Sequence, residues 1–418
     1  MWKSVLAASG VLSGLVILLS VAVALGGRGG DTKPQPRVAV IEADEGGTPD
    51  PSASGVIVAR AGNMLYRFAP DGTQLGVSQE NTFRVATSVS GMWQGFKNCP
   101  ASQSCQLLVG EAVDGAALRQ AALAGGLAEA MWSPVSDVLA VVEQGGSVSL
   151  VDPTTLAVTP LGEGATAYGW TSDGVLVFAT FDGEKAQLWA ASSGHVRLVS
   201  ALGSPVTTLV PSPDGRRFAF VQDGAGGWQA ATVGGDGRVV VAANLGRMNS
   251  FASPVTRAPA SVAMSWSPGS DYVAVSPVAK PYVMYIAGAG GDAAPLAYYL
   301  DDGYAGEMKW SPDGSQLAIS TYSVDRTRHN VYLLESLTAT ELRFMIDGCV
   351  VFWSPDGRFL VNHREPRTGG IAAVRVSDGA FWLVTPMLSI APASWAIDEQ
   401  TALKLADLPP RGVGGLGK

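Results

Sequence analysis

The pentapeptide Trp-Ser-Pro-Asp-Gly occurs twice, at residues 310–314 and 353–357, each time between two short apolar runs. Proline presets φ at the second position of a tight turn, aspartate suits the third, and glycine tolerates the left-handed conformation that closes it. The flanking "EMKW" and "SQLAIS" alternate apolar and polar residues, as strands buried on at least one face do. Each copy therefore reads as strand, tight corner, strand. Variants recur along the chain at Trp132, Trp170 and Trp266, with Pro211 in the place of the indole once, and weaker copies at Trp93 and Trp395 lack the Pro-Asp-Gly. The anchors lie about forty residues apart, a period typical of one supersecondary unit. One gap, from Pro211 to Trp266, is wider, and its excess falls at residues 246–260.

Each unit also holds a second pair of strand-like runs, such as "IAAVRV" and "AFWLVT" joined through Asp378 and Gly379. Four strands per unit is the arithmetic of a β-propeller blade, and radial repetition leaves only short sheet edges. Coil repeats of a β-helix are much shorter, and a sandwich does not repeat one motif eight times. The expected fold is all-β, a propeller of eight four-stranded blades with seven as the alternative. The repeated corner resembles the WD-repeat-like motif of TolB-type propellers, also found in propellers of prolyl oligopeptidase-like enzymes. The resemblance covers residues 55–407 and implies the fold; many unrelated activities sit on such scaffolds.

In this reading Trp132, Trp170, Trp266, Trp310, Trp353 and Trp395 are structural, each wedged between its own blade and the next. Asp214, Asp313 and Asp356 are turn residues. The first strands after residue 55 lack an indole corner, while the run around Trp395 has the corner and lacks the later strands. Together they are expected to form one composite blade that joins the two ends of the ring.

Residues 5–27 are uninterrupted by charge and long enough to cross a bilayer as a helix. A signal peptide is the alternative, because Ala22-Val23-Ala24 resembles a small-residue cleavage site. The expected organisation is an anchor or signal peptide at 1–27, a Gly/Pro-rich stalk at 28–54, the propeller at 55–407 and a tail at 408–418. Cys99 and Cys105 are spaced to bridge a short loop, which together with the leader favours an extracytoplasmic, membrane-anchored propeller, or a secreted one after cleavage. Cys349 reads as a buried thiol.

A net charge of −8 gives no general nucleic-acid footprint. Three scattered histidines, His195, His329 and His363, with no G-x-S-x-G elbow and no His/Cys cluster of metal spacing, give no catalytic residue, metal site or cofactor. Two connections stand out as basic: one with Arg326, Arg328 and His329, the other with His363, Arg364 and Arg367. Equivalent loops of neighbouring blades emerge on one face, so these six residues, with 246–260, are the candidate binding surface for an anionic group, since a planar guanidinium suits carboxylate and phosphate. The expected function is binding of a protein or peptide partner; the alternative is a small-ligand binder or enzyme using the central channel.

Overall fold

The computed structural model of the chain describes residues 47–398 except 62–63, 80–83, 100–103, 113–116, 203–204, 207, 225–226, 235–237, 247–261, 279–281, 292, 301–302, 324–327, 365–369 and 387–390. The apolar segment at 5–27, the tail, the segment at 247–261, Arg326 and Arg367 lie outside the described residues. Among the described residues no helix is long and apolar enough to cross a membrane.

Thirty-two strands form eight antiparallel four-stranded sheets, the blades of an all-β propeller. Numbered from the first complete blade, blade 1 starts with Arg84–Thr87, blade 2 with Leu127–Trp132, blade 3 with Ala165–Trp170 and blade 4 with Val210–Pro211. Blades 5, 6 and 7 start with Val262–Trp266, Gly303–Trp310 and Cys349–Trp353. First strands of neighbouring blades contact one another, so they stand innermost, and the other three strands follow outward in chain order. Burial follows that radius. All five residues of the second strand Leu139–Glu143 are buried, because neighbouring blades cover both faces, whereas most of the outermost strand His195–Leu202 is exposed.

Blade 8 is composite. Its innermost strand is Ala391–Ala396, and Val56–Ala61, Met64–Phe68 and Gln74–Gln79 follow outward. The two ends of the chain pair antiparallel, with Val56 opposite Ala396, Ile57 opposite Trp395 and Val58 opposite Ser394, before a bulge shifts the register. Gly55, at φ +105°, leads into this joint with its Cα against the Ala396 carbonyl, where a side chain would not fit.

The corners fold as their chemistry dictates. In blades 4, 6 and 7 the corner serine (Ser212, Ser311, Ser354) donates its hydroxyl to the aspartate two residues on at 2.6 Å. The same oxygen accepts the amide at the start of the second strand, from Arg217, Gln316 and Phe359. Gly215, Gly314 and Gly357 take φ of +67°, +74° and +72°. For Asp313, hydrogen bonds from Ser311 and Ser315 hold the carboxyl below its ordinary range. Asp214, Asp313 and Asp356 are thus occupied inside their own turns.

The indoles depart from expectation in direction. Each tryptophan packs against the preceding blade, not the next: Trp353 clusters with Ala318, Val331, Leu333 and Met345 of blade 6. A repeated hydrogen bond fixes this side. Trp170 Nε1 donates to the Met131 carbonyl at 3.1 Å, Trp266 to Val210 at 2.9 Å, Trp310 to Ser265 at 3.2 Å and Trp353 to Lys309 at 2.8 Å. In every case the acceptor immediately precedes the anchor of the blade before. Periodicity alone is indifferent to this choice, and backbone polarity decides it. Trp395 instead donates to Ser54 O at 3.0 Å, within the composite blade.

Trp93 also differs from the repeat. It opens the second strand of blade 1, Trp93–Asn98, instead of ending the first. The blade 1 corner runs ahead of it through Ser88 and Gly91, whose amide bonds the Ser88 carbonyl at 2.9 Å. Ser88 holds the place of the corner serine, its amide donating to the Trp93 carbonyl as the Ser311 amide does to Gln316, so Thr87 takes the indole position and the tryptophan falls on the returning strand, under the Arg119 guanidinium at 5.8 Å.

Candidate functional site

Antiparallel alternation gives the ring two unlike faces. One carries the Ser-Pro-Asp-Gly corners and the hairpins between third and fourth strands. The other carries the links between second and third strands and the crossings from blade to blade. His195 begins an outer strand on the corner face. His329 and His363 lie on the opposite one, at the ends of blades 6 and 7.

These two histidines meet at the crossing between the blades. The Gly348 amide donates to the His329 carbonyl at 2.8 Å, and Cys349, next in the chain, pairs with His363 across the sheet. The described ends of the two basic connections, at Arg328–His329 and His363–Arg364, therefore meet at one joint. Gly348, at φ +114°, is required there: a Cβ would stand 2.6 Å from the His363 carbonyl and 2.8 Å from Asn362 Oδ1.

Arg328 is held at the backbone, its amide donating to Ser323 Oγ at 3.0 Å. Arg364 is more deeply placed. Its guanidinium lies 4.9 Å over the Phe381 ring and 3.5 Å from Asp347, and its side chain is 13% exposed. That engagement makes Arg364 part of the joint as well as of its surface. Burial lowers the pKa of His363, so it stays neutral over a wider pH range than an exposed histidine.

The joint also gathers residues outside the basic connections, among them Cys349, which the sequence reads as a buried thiol. Cys349 is half-buried, with Sγ 3.5 Å from the Tyr322 hydroxyl and 3.6 Å from His329 Nδ1. Tyr322 meets the His329 ring edge-on at 4.6 Å and stacks on Tyr304 at 5.8 Å. Its ring lies directly over Gly306, where any side chain would displace it. Asn362 is fully buried, and among the described residues neither of its amide atoms has a hydrogen-bond partner; the Arg364 Nε is likewise buried without one among them. Leaving such a group unsatisfied costs about 1–3 kcal/mol. No local pattern marks these residues, because it is the crossing between two blades that brings them together.

Elsewhere on the innermost strands, burial raises the Glu307 carboxyl, and burial together with Glu129 raises the Tyr168 phenol. Among the described residues no group of three or more His, Cys, Asp and Glu side chains is placed to hold a metal ion. Cys99 and Cys105 are joined across the link between the second and third strands of blade 1, with Cα atoms 4.1 Å apart.

Solved structures resemble this chain over most of its length. Dihydro-heme d1 dehydrogenase NirN in complex with DHE matches over 90% of this chain and 78% of its own, with a TM-score of 0.56 at 15% identity. Hsv2 of Kluyveromyces lactis matches over 71% and 94% (TM-score 0.45, 13% identity), and oligogalacturonate lyase in complex with manganese over 80% and 86% (0.43, 12%). The likeness is one of fold. No family model matches the chain, and no curated protein matches its sequence. Enzymes stand among these propellers, and at such identities their chemistry does not transfer.

Proposed function

We propose that the chain is a TolB-like propeller, tethered to a membrane outside the cytoplasm, that binds a protein or peptide partner and carries out no catalysis. The apolar residues 5–27 support the tether, and the Cys99–Cys105 bridge fits an oxidising compartment. The binding reading rests on the joint of blades 6 and 7, where Arg328, His329, His363 and Arg364 stand together on one face of the ring. A carboxylate presented by a partner complements such donors, because charge-assisted hydrogen bonds are the stronger ones.

Affinity capture from native membranes, with the full chain as bait, tests this. Arg328→Glu combined with Arg364→Glu is expected to reduce recovery of the captured partner at least about tenfold, which corresponds to about 1.4 kcal/mol. Arg216→Glu, in a corner on the opposite face, is expected to leave recovery unchanged. Equal recovery with both variants, equal loss with both, or no specific partner at all would contradict the reading. Circular dichroism of each variant establishes that the fold is intact.

A further inference from the structure

A second site lies on the same face at another joint, between blades 2 and 3. Here a cleft of about 410 Å³ opens between the outermost strand of blade 2, Val158–Gly162, and one face of blade 3. The volume falls in the range of small-molecule and side-chain pockets. Three aromatic rings, Phe178, Phe181 and Trp189, line it, with Val196 of the outermost strand at its side. Two carboxylates, Glu163 and Asp182, stand among the lining.

Local structure keeps this cleft open and its walls fixed. Phe178 and Trp189 are cross-strand partners, so their rings share one face of the sheet. Trp189 Nε1 donates to Thr180 Oγ1 at 3.0 Å, which sets the plane of the indole. Glycines flank Glu163 on both sides. A Cβ at Gly162 would press on the Phe178 ring at 3.1 Å, and Gly164 takes φ +68° with the Phe181 carbonyl 2.9 Å from where its Cβ would be. The missing side chains keep the crossing close to the sheet: Phe178 is buried beneath it, and the partly exposed rings of Phe181 and Trp189 form the open wall of the cleft. Asp182 Oδ1 accepts the amides of Glu184 and Lys185 at 2.9 and 2.7 Å, and these bonds keep the carboxyl ionised to lower pH than usual. Glu184 and Lys185 in the same turn offset one another in charge, which leaves the cleft acidic.

From the aromatic walls and the two carboxylates at the blade 2–blade 3 joint, we infer that this cleft receives an arginine side chain presented by a partner polypeptide. A guanidinium stacks on aromatic faces and pairs with carboxylates in one planar group, and its weak hydration makes its burial less costly than that of an ammonium. Val196 and Leu161 supply apolar contact for the side-chain stem and its neighbours. This site is independent of the joint between blades 6 and 7 and opposite to it in charge.

Calorimetric titration of the whole chain with the tripeptide acetyl-Leu-Arg-Leu-amide tests the inference. The same peptide with citrulline, neutral but of nearly equal shape, is expected to bind at least about tenfold more weakly. The lysine peptide is expected to fall between them. Glu163→Gln with Asp182→Asn, which preserves shape, and Gly162→Val, which puts bulk between the crossing and the aromatic wall, are each expected to weaken the arginine peptide by about tenfold or more. Arg328→Glu is expected to leave its affinity unchanged, so failure here and failure of the partner reading are separable. Citrulline binding as tight as arginine, lysine binding tighter than arginine, indifference to both cleft variants, or no saturable binding up to about 10 mM, weaker than any specific site would be, would each overturn it.

Discussion

A chain ending at residue 390 is expected to lose the cooperative unfolding of the entire propeller. The truncation removes the innermost strand of blade 8, Ala391–Ala396, and with it the pairing that ties the two ends of the chain together. It leaves the backbone of Val56–Ala61 as an open edge. It also removes Trp395, whose indole stacks on Phe359 of blade 7 at 6.2 Å and donates to Ser54 O. Ile57, Ala59, Phe359 and Val361, now buried in one cluster, would face water, and the exposed edge would invite pairing with other chains. Urea unfolding followed by far-ultraviolet circular dichroism is expected to show a broad, shifted transition and aggregation. Truncation after residue 398, which keeps the closing strand, is expected to leave the midpoint unchanged. An unaltered midpoint for the shorter chain would show that blade 8 closes without its inner strand.

The second large effect belongs to the repeated indole. Trp353 is 8% exposed and packs among the apolar residues of blade 6. Trp353→Ala removes that packing, leaves a cavity and strands the Lys309 carbonyl, for an expected loss of about 3–5 kcal/mol in unfolding free energy. Trp353→Phe keeps much of the apolar contact but removes the Nε1 donor bound at 2.8 Å, and about 1–2 kcal/mol of loss is expected. Equal losses for the two variants would mean that the hydrogen bond to the preceding blade contributes nothing. The truncation tests closure of the ring, and this pair tests the joint between blades.

Much of the ring was legible because its determinants are local and repeat. The Ser-Pro-Asp-Gly corners announce themselves through residues that set φ, and the same serine and aspartate bonds recur in blades 4, 6 and 7. The composite blade was legible from what each end lacked. The side on which an indole packs was not, since a period is unchanged when every wedge points the other way; the carbonyl that receives Nε1 decides it. Trp93 was misread as an anchor because a tryptophan near the right spacing looks alike on either side of a corner.

The candidate sites were legible only in part. The loop charges at Arg328, His329, His363 and Arg364 stand out in sequence, but their meeting at Gly348 depends on the crossing between blades. Cys349, Tyr322 and Asn362 carry no pattern of their own and acquire their setting from partners on other strands, across a register that only the sheet fixes. The cleft beside Trp189 was invisible for a related reason. Its two glycines and three rings belong to different blades or different strands, and the space between them appears only once the blades are stacked.

Ring closure through the paired strands at its two ends is the claim on which the blade count, the two unlike faces and both proposed sites depend. Oxidative crosslinking of the variant Val56→Cys/Ala396→Cys measures it directly, since these two residues are opposite each other in the pairing. The account predicts an intramolecular disulfide between the two introduced cysteines in the folded chain, formed without denaturant and absent in controls that carry only Val56→Cys or only Ala396→Cys. A folded variant that forms no such bond, or forms it only between separate molecules, would contradict a ring closed by its own two ends.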